Sequence, residues 1–198
     1  MYLFFDTETN GLPKTMKASP KEVWNWPRVT QLAWQLYSED RCLLAESATL
    51  IKPDGWTIPK EKFFIDNGHS TERCEREGIP LTAALTLLVD GINNADLMVA
   101  HNLAFDLPVL QAEMIRTGIN AARKPAKFCT MVATTDVCKI PNRRGNDFKW
   151  PKLEELHRFL FAYEFDGAHD ALADVKALAK CFFALSDADL IQHPLSTI

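Results

Sequence analysis

The chain has 198 residues, of which 47% are apolar and 24% charged, and carries a net charge of −4. That length suits one domain able to bury a large core without disulfides or structural metal. The negative charge argues against broad duplex binding through a basic surface, though not against a nucleic-acid enzyme whose acids are neutralised by bound metal. Cys42, Cys74, Cys129, Cys138 and Cys181 form no Cys-x-x-Cys pair, which argues against zinc and for a reducing compartment. No apolar run approaches the roughly 20 residues that span a bilayer. The opening stretch Met1–Glu8 has no basic flank and turns acidic at once, so it is not a signal peptide. A cytoplasmic protein without a membrane partner is expected.

The first strand is expected at Tyr2–Phe5, ending at Asp6, before a turn at Asn10-Gly11-Leu12-Pro13. Val29–Tyr37 reads as a second, roughly alternating strand, and Leu43–Ile51 as a third closed by Lys52-Pro53-Asp54-Gly55. Residues 56–78 are irregular. Leu81, Ala84, Leu85, Leu88, Val89 and Ile92 recur at helical spacing. Leu97–Ala100 reads as a short buried strand. A helix then turns Leu107, Leu110, Met114 and Ile115 inward and stops at Gly118. Lys127–Thr130 suits another strand, and Leu153, Leu156, Phe159 and Leu160 a short helix. The last helix is expected over Ala168–Leu185, with Leu172, Val175, Leu178, Ala179 and Phe182 on its apolar side. A three-strand meander followed by alternating helices and strands predicts an α/β fold with a mixed sheet.

Acidic residues sit at the ends of these elements. On a strand, Asp6 and Glu8 share a face. They lie where open α/β sheets place their ligands. Two carboxylates held that close repel unless a cation lies between them, although a solvated strand end explains the pair equally simply. Asp106 falls in the first turns of a helix, where the macrodipole favours an acid, and Asn102 suits an N-cap. His169 and Asp174 flank the start of the last helix, about 140° apart around its axis. Asp174 lies between Leu172 and Val175, at the margin of the apolar side, where an acid is costly to bury alone. Asp170, four residues earlier, is a rival for the same task, and a first-turn acid is its simpler account.

Asp6-x-Glu8, His101-Asn102-x-x-Phe105-Asp106 and His169-x-x-x-x-Asp174 resemble the three exonuclease motifs of the DEDDh family, the DnaQ-like 3′–5′ exonucleases. The resemblance covers about Met1 to Leu185, and Val29-x-Gln31-Leu32-Ala33 is similar to the family's second strand. The tyrosine branch carries Tyr four residues before the last aspartate; here that position is Asp170, so the chain resembles the histidine branch. Many relatives carry a His-Gly-Ile-Thr-like stretch after the third strand. Here Ile65–Thr71 reads Ile-Asp-Asn-Gly-His-Ser-Thr, and His69 takes no role by analogy. The basic, aromatic loop 142–150 suits a segment near phosphates and bases, or a plain solvated loop.

The resemblance implies a ribonuclease H-like sheet of about five strands, the second antiparallel, with helices on both faces. It implies an exonuclease domain over residues 1–185 and a tail over 186–198. Asp6, Glu8, Asp106 and Asp174 would hold two Mg²⁺ or Mn²⁺ ions, and His169 would act as general base. Thr7, Leu12, Asn102 and Phe105 are candidate substrate contacts. The expected partner is the 3′ end of single-stranded nucleic acid, DNA ahead of RNA, met by a monomer or homodimer, with DNA repair as one setting. A metal phosphodiesterase for short oligonucleotides and a catalytically inactive nucleic-acid-binding module are the alternatives.

Overall fold

The computed structural model describes residues 1–143, 145 and 147–196. Arg144 and Asn146 of the basic loop, and Thr197 and Ile198 of the tail, lie outside the described residues. The strands are β1 (Tyr2–Thr9), β2 (Val29–Tyr37), β3 (Leu43–Leu50), β4 (Leu97–Ala100) and β5 (Ala126–Cys129). The helices are α1 (Lys62–Asp66), α2 (Thr71–Glu77), α3 (Leu81–Asn94), α4 (Leu103–Thr117), α5 (Thr130–Ala133), α6 (Thr135–Cys138), α7 (Leu153–Phe161) and α8 (Ala171–Asp187). The strands form one five-stranded sheet in the order β3-β2-β1-β4-β5. β2 is antiparallel to β1 and β3, while β1, β4 and β5 are mutually parallel. This is the mixed sheet expected from the ribonuclease H-like pattern. None of the helices, among the described residues, is long and apolar enough to cross a membrane.

Side-chain alternation along β1 builds two cores. Leu3 and Phe5 point to one face, where Leu85, Leu88 and Ile92 of α3 and Val109 and Leu110 of α4 cover them. Phe4 points to the other, with Leu97 and Val99 of β4, against Leu156 of α7 and Val175, Leu178 and Phe182 of α8. Both faces are therefore covered. That is why β2 is buried along nearly its whole length rather than alternating as its sequence suggests. After α8 the chain folds back, and Ile191 is buried in the second core.

β1 runs past Asp6 to Thr9, four residues beyond the Tyr2–Phe5 expected for it. The cause is β2, which offers Ala33, Leu32 and Gln31 as ladder partners to Asp6, Thr7 and Glu8. β4 pairs only with Tyr2, Leu3 and Phe4. The end of β1 thus has a neighbour on one side alone, and a cleft opens beyond the carboxyl end of β4.

The segment 56–78, irregular in sequence, contains α1 and α2. They are too short to show a periodicity; Ser70 caps α2 by accepting from the Arg73 N–H. Helix α4 is rotated from its expected setting. Its buried stripe is Asp106, Val109, Leu110, Ala112 and Glu113, and Ile115, expected inward, is 47% exposed. Two acids in the seam, each with a partner, win over the purely apolar stripe. Glu113 is fully buried. It accepts from the Arg28 side chain at 2.9 Å and the Val29 N–H at 3.0 Å, and pairs with Arg116 at 3.1 Å. Removing one member of a buried ion pair costs about 3–5 kcal/mol. Glu113→Ala is therefore expected to lower the melting temperature by roughly 6–20 °C, read by thermal unfolding. A shift under about 2 °C would show that the pair contributes little.

Candidate active site

Three elements deliver acids to the cleft. Asp6 and Glu8 project from the same face of β1. Thr7 points the opposite way and donates to Asp106 Oδ1 twice, from its hydroxyl at 2.7 Å and its N–H at 3.2 Å. Asp106 is buried on the first turn of α4. The turn into α4 is made by Asn102 in the left-handed region (φ 73°, ψ 44°), a conformation that asparagine tolerates better than most residues. Asn102 is the N-cap by position, but its side chain makes no capping bond.

The fourth acid, Asp174, stands on the first turn of α8, and its Oδ2 accepts from the His169 N–H at 3.1 Å. The helix begins at Ala171 rather than Ala168. Asp170 caps it, Oδ1 accepting from the Leu172 and Ala173 N–H groups. Gly167 and His169, both at positive φ (82° and 70°), keep the preceding chain out of the helix. Asp170 Oδ2 accepts from the Gln31 amide at 3.0 Å, and Gln31 Oε1 accepts from the Ala171 N–H at 3.3 Å. Gln31 is the β2 partner of Glu8, so it ties α8 to the strand bearing the acids. Asp170 is thereby committed to capping.

Asp6, Glu8, Asp106, Asp174 and His169 all line one cleft of about 470 Å³. Within it, one ligand-capable atom each of Glu8, His169 and Asp174 lie within 4.8 Å of one another. Asp6 and Asp106 share the cleft but not that group. Asn102 and Phe105 line it, as does Thr7, whereas Leu12 is 83% exposed and is not among the lining residues. His157 does not line the cleft: it is buried among Phe161, Tyr163 and Phe165 with Nδ1 at 3.0 Å from the Tyr163 carbonyl.

The cleft is rich in unbalanced negative charge. Among the described residues, none of the four acids forms a salt bridge with lysine or arginine. Burial first, and then Asp106, Asp174 and Glu8, holds the Asp6 carboxyl well above the usual carboxylate range. Burial and the neighbouring acids push Glu8 up to about 8. Asp106 is pushed up to about 7 by burial, against the hydrogen bonds from Thr7. Burial also raises Asp174 to about 7, against the bond from His169. An all-oxygen donor set of this charge suits a hard divalent cation, which would invert the repulsion.

A pH dependence follows. Each of these acids has a folded-state pKa above its unfolded value near 4, so the folded metal-free protein binds extra protons in that window. The associated stability is fully present below about pH 4 and is lost as pH rises through 7–8. The melting temperature of the metal-free protein is expected to fall by about 5 °C between pH 5 and pH 8. Mn²⁺ competes with those protons, so it should stabilise more at pH 8 than at pH 5. Thermal unfolding at both pH values, with and without Mn²⁺, measures this. A metal shift equal at both would refute the electrostatic reading.

Four residues without a role in the sequence reading also bear on the cleft. His101, present in the second motif, is buried between the Thr130 hydroxyl and the Pro151 carbonyl, both at 2.9 Å, and burial lowers its pKa. It clamps the end of β4 to the segment entering α7. Trp150, 63% exposed, lines the cleft; the aromatic character of its loop was its only signal. Phe63 and His69 approach His169 from α1 and the turn after it; His69 lies in the stretch that departs from the family pattern, and no local pattern marked Phe63.

A family model described as an exonuclease, of the RNase T type, matches residues 36–182, most of the chain. The match begins after Asp6 and Glu8. None of the curated proteins matches the chain. Solved structures do. E. coli exonuclease I in complex with a dT13 oligonucleotide superposes with a TM-score of 0.72 at 17% identity, over 93% of this chain and 40% of that one. A moderately thermophilic exonuclease I from Methylocaldum szegediense gives 0.70 at 17% identity, over 94% and 41%. At these identities the likeness concerns the fold, and the chain spans about two fifths of the length of those proteins. The family match takes in the second and third motifs, and the sheet is the fold of those exonucleases: the chain belongs to the RNase T family of exonucleases.

Proposed function

We propose that this chain is a metal-dependent 3′–5′ exonuclease that releases nucleoside 5′-monophosphates from single-stranded DNA, with RNA as a poorer substrate. The observation that carries this reading is the convergence of four carboxylates from β1, α4 and α8 with His169 in one open cleft, with no lysine or arginine paired to the acids among the described residues. Asp6, Glu8, Asp106 and Asp174 would hold two Mg²⁺ or Mn²⁺ ions. Such a pair, when bound, stabilises charge on the attacking and leaving oxygens of an in-line displacement.

The chain's own residues do the rest. Thr7 holds the Asp106 carboxylate. His169 takes a proton from the attacking water, a task suited to imidazole. The water oxygen bonds to the terminal phosphorus, the bond from phosphorus to the 3′ oxygen breaks, that oxygen takes a proton from solvent, and the terminal nucleotide leaves with a 5′-phosphate. Asn102, Phe105 and Trp150 present polar and aromatic surface for the terminal nucleotides, and Leu12, exposed on the turn after β1 outside the cleft lining, is a further candidate contact. An exposed aromatic suits stacking on unpaired bases. Residues 1–185 would carry this activity, while the segment that follows completes α8 to Asp187 and returns Ile191 to the second core. The protein acts in the cytoplasm as a monomer or homodimer, in a setting such as DNA repair.

A panel of 5′-labelled single- and double-stranded DNA and RNA, incubated with Mg²⁺ or Mn²⁺, tests the proposal. A ladder shortening one nucleotide at a time from the 3′ end, fastest on single-stranded DNA, is expected. Faster cleavage of dinucleotides than of long strands would point to a small-substrate phosphodiesterase. Binding without cleavage would point to an inactive module.

A further inference from the structure

Two histidines meet beneath the cleft. His69 lies in the turn between α1 and α2, in the stretch that departs from the family pattern. Its side chain is buried, and its Nε2 lies 3.1 Å from the carbonyl oxygen of His169, one hundred positions later. A carbonyl only accepts, so Nε2 must donate, and the ring is the Nε2–H tautomer when neutral. The other nitrogen, Nδ1, is buried with no partner among the described residues. Burying an unsatisfied nitrogen is unfavourable, and an aliphatic side chain would fill the same space without that penalty. The one bond that a hydrocarbon could not make is the bond to His169.

His169 needs such a bond. It sits at φ 70°, a conformation that a non-glycine residue keeps only where its surroundings over-determine it. Its N–H is pinned by Asp174 Oδ2 at 3.1 Å and its C=O by His69. From the side, the Phe63 ring of α1 meets the His169 imidazole edge-on, at 5.5 Å between centroids. Both peptide groups and the ring are thus held, although the residue is exposed.

We propose that His69 is a positioning residue for the general base, donating from Nε2 to the His169 carbonyl so that the strained backbone aims the imidazole into the cleft. The inference rests on the exonuclease reading, in which His169 takes the proton. A small misplacement of a catalytic group can cost about 100-fold in rate. His69→Leu is therefore expected to lower the single-turnover rate on labelled single-stranded DNA by about 10–100-fold. KM and Mn²⁺ affinity should stay within about 2-fold, because no metal or nucleotide contact is lost. His69→Gln, whose amide nitrogen can donate near the Nε2 position, should recover most of the rate. In a His169→Ala background, His69→Leu should change the rate by less than about 2-fold, since its effect passes through the missing ring.

Full rate in His69→Leu, or losses that multiply in the double variant, would overturn the proposal. A wild type without exonuclease activity would instead overturn the functional reading. The contact can be settled on the wild type whether or not the variants fold. Long-range ¹⁵N–¹H spectra should show His69 as the Nε2–H tautomer with a slowly exchanging proton, and an Nδ1–H tautomer would refute it.

Discussion

Replacing Asp6 with alanine is expected to lower exonuclease turnover by about 10⁴-fold or more. Asp6 lies at the electrostatic centre of the cleft: Asp106, Asp174 and Glu8 all act on its carboxyl, and burial holds its pKa well above the usual range. A carboxylate kept among three others without a basic partner is unfavourable for the metal-free fold and is repaid when cations bind. Its removal takes away an oxygen ligand and leaves a gap in the charge balance. Bound metals supply several kcal/mol of transition-state stabilisation, and each 1.36 kcal/mol is tenfold in rate. Calorimetric Mn²⁺ titration with single-turnover assays should show metal affinity and rate falling together. Because one source of repulsion is gone, the metal-free variant should also melt no lower than wild type at pH 8. Retained activity within about 10-fold would remove Asp6 from the metal set.

His169→Ala is the second large effect, but of a different kind. Proton transfer by a placed side chain contributes about 10²–10⁴-fold, and the variant should lose that factor. Geometry alone leaves two roles open, since Glu8, His169 and Asp174 have ligand-capable atoms within 4.8 Å of one another. A base and a ligand differ in what else they disturb. As a base, His169 can be removed with Mn²⁺ affinity changed by less than about 3-fold, because the four acids carry the cations. As a ligand, it would take affinity with it. The wild-type rate should rise with pH on the acid side, because only the neutral imidazole accepts a proton. This must be measured at saturating Mn²⁺: Glu8, Asp106 and Asp174 titrate at about 7–8 in the metal-free protein and would otherwise add a limb of the same sign. A variant that keeps the wild-type pH profile, or loses Mn²⁺ as Asp6→Ala does, would end the general-base assignment.

Much of the frame was legible in the chain. The strands and the long helices α3, α4 and α8 were legible because apolar residues recur along them, and periodicity is a local property, although β2 is buried on both faces and α4 turns Asp106 and Glu113 inward. The acids were legible for a related reason: Asp6, Glu8, Asp106 and Asp174 each interrupt or end an apolar element, where an unpaired charge is conspicuous. Spacing brought each pair or triplet into one motif, and the resemblance joined the motifs.

Where the information is not local, only the tertiary structure decided. The length of β1 depends on β2 offering partners through Gln31 while β4 stops short; that imbalance, not the β1 sequence, opens the cleft. Asp170 and Asp174 lie on the same side of α8 by spacing. They separate only when Gln31 and the Leu172 and Ala173 amides claim Asp170. The setting of α4 follows from Arg28 and Arg116 receiving Glu113 across 85 residues and one helical turn respectively. His69 had no readable role because its partner is a backbone carbonyl, which leaves no trace in the identity of residue 169. Apolar burial writes a repeating signal along the chain, whereas a single long-range hydrogen bond is written at two unrelated positions and becomes visible only when the fold brings them together.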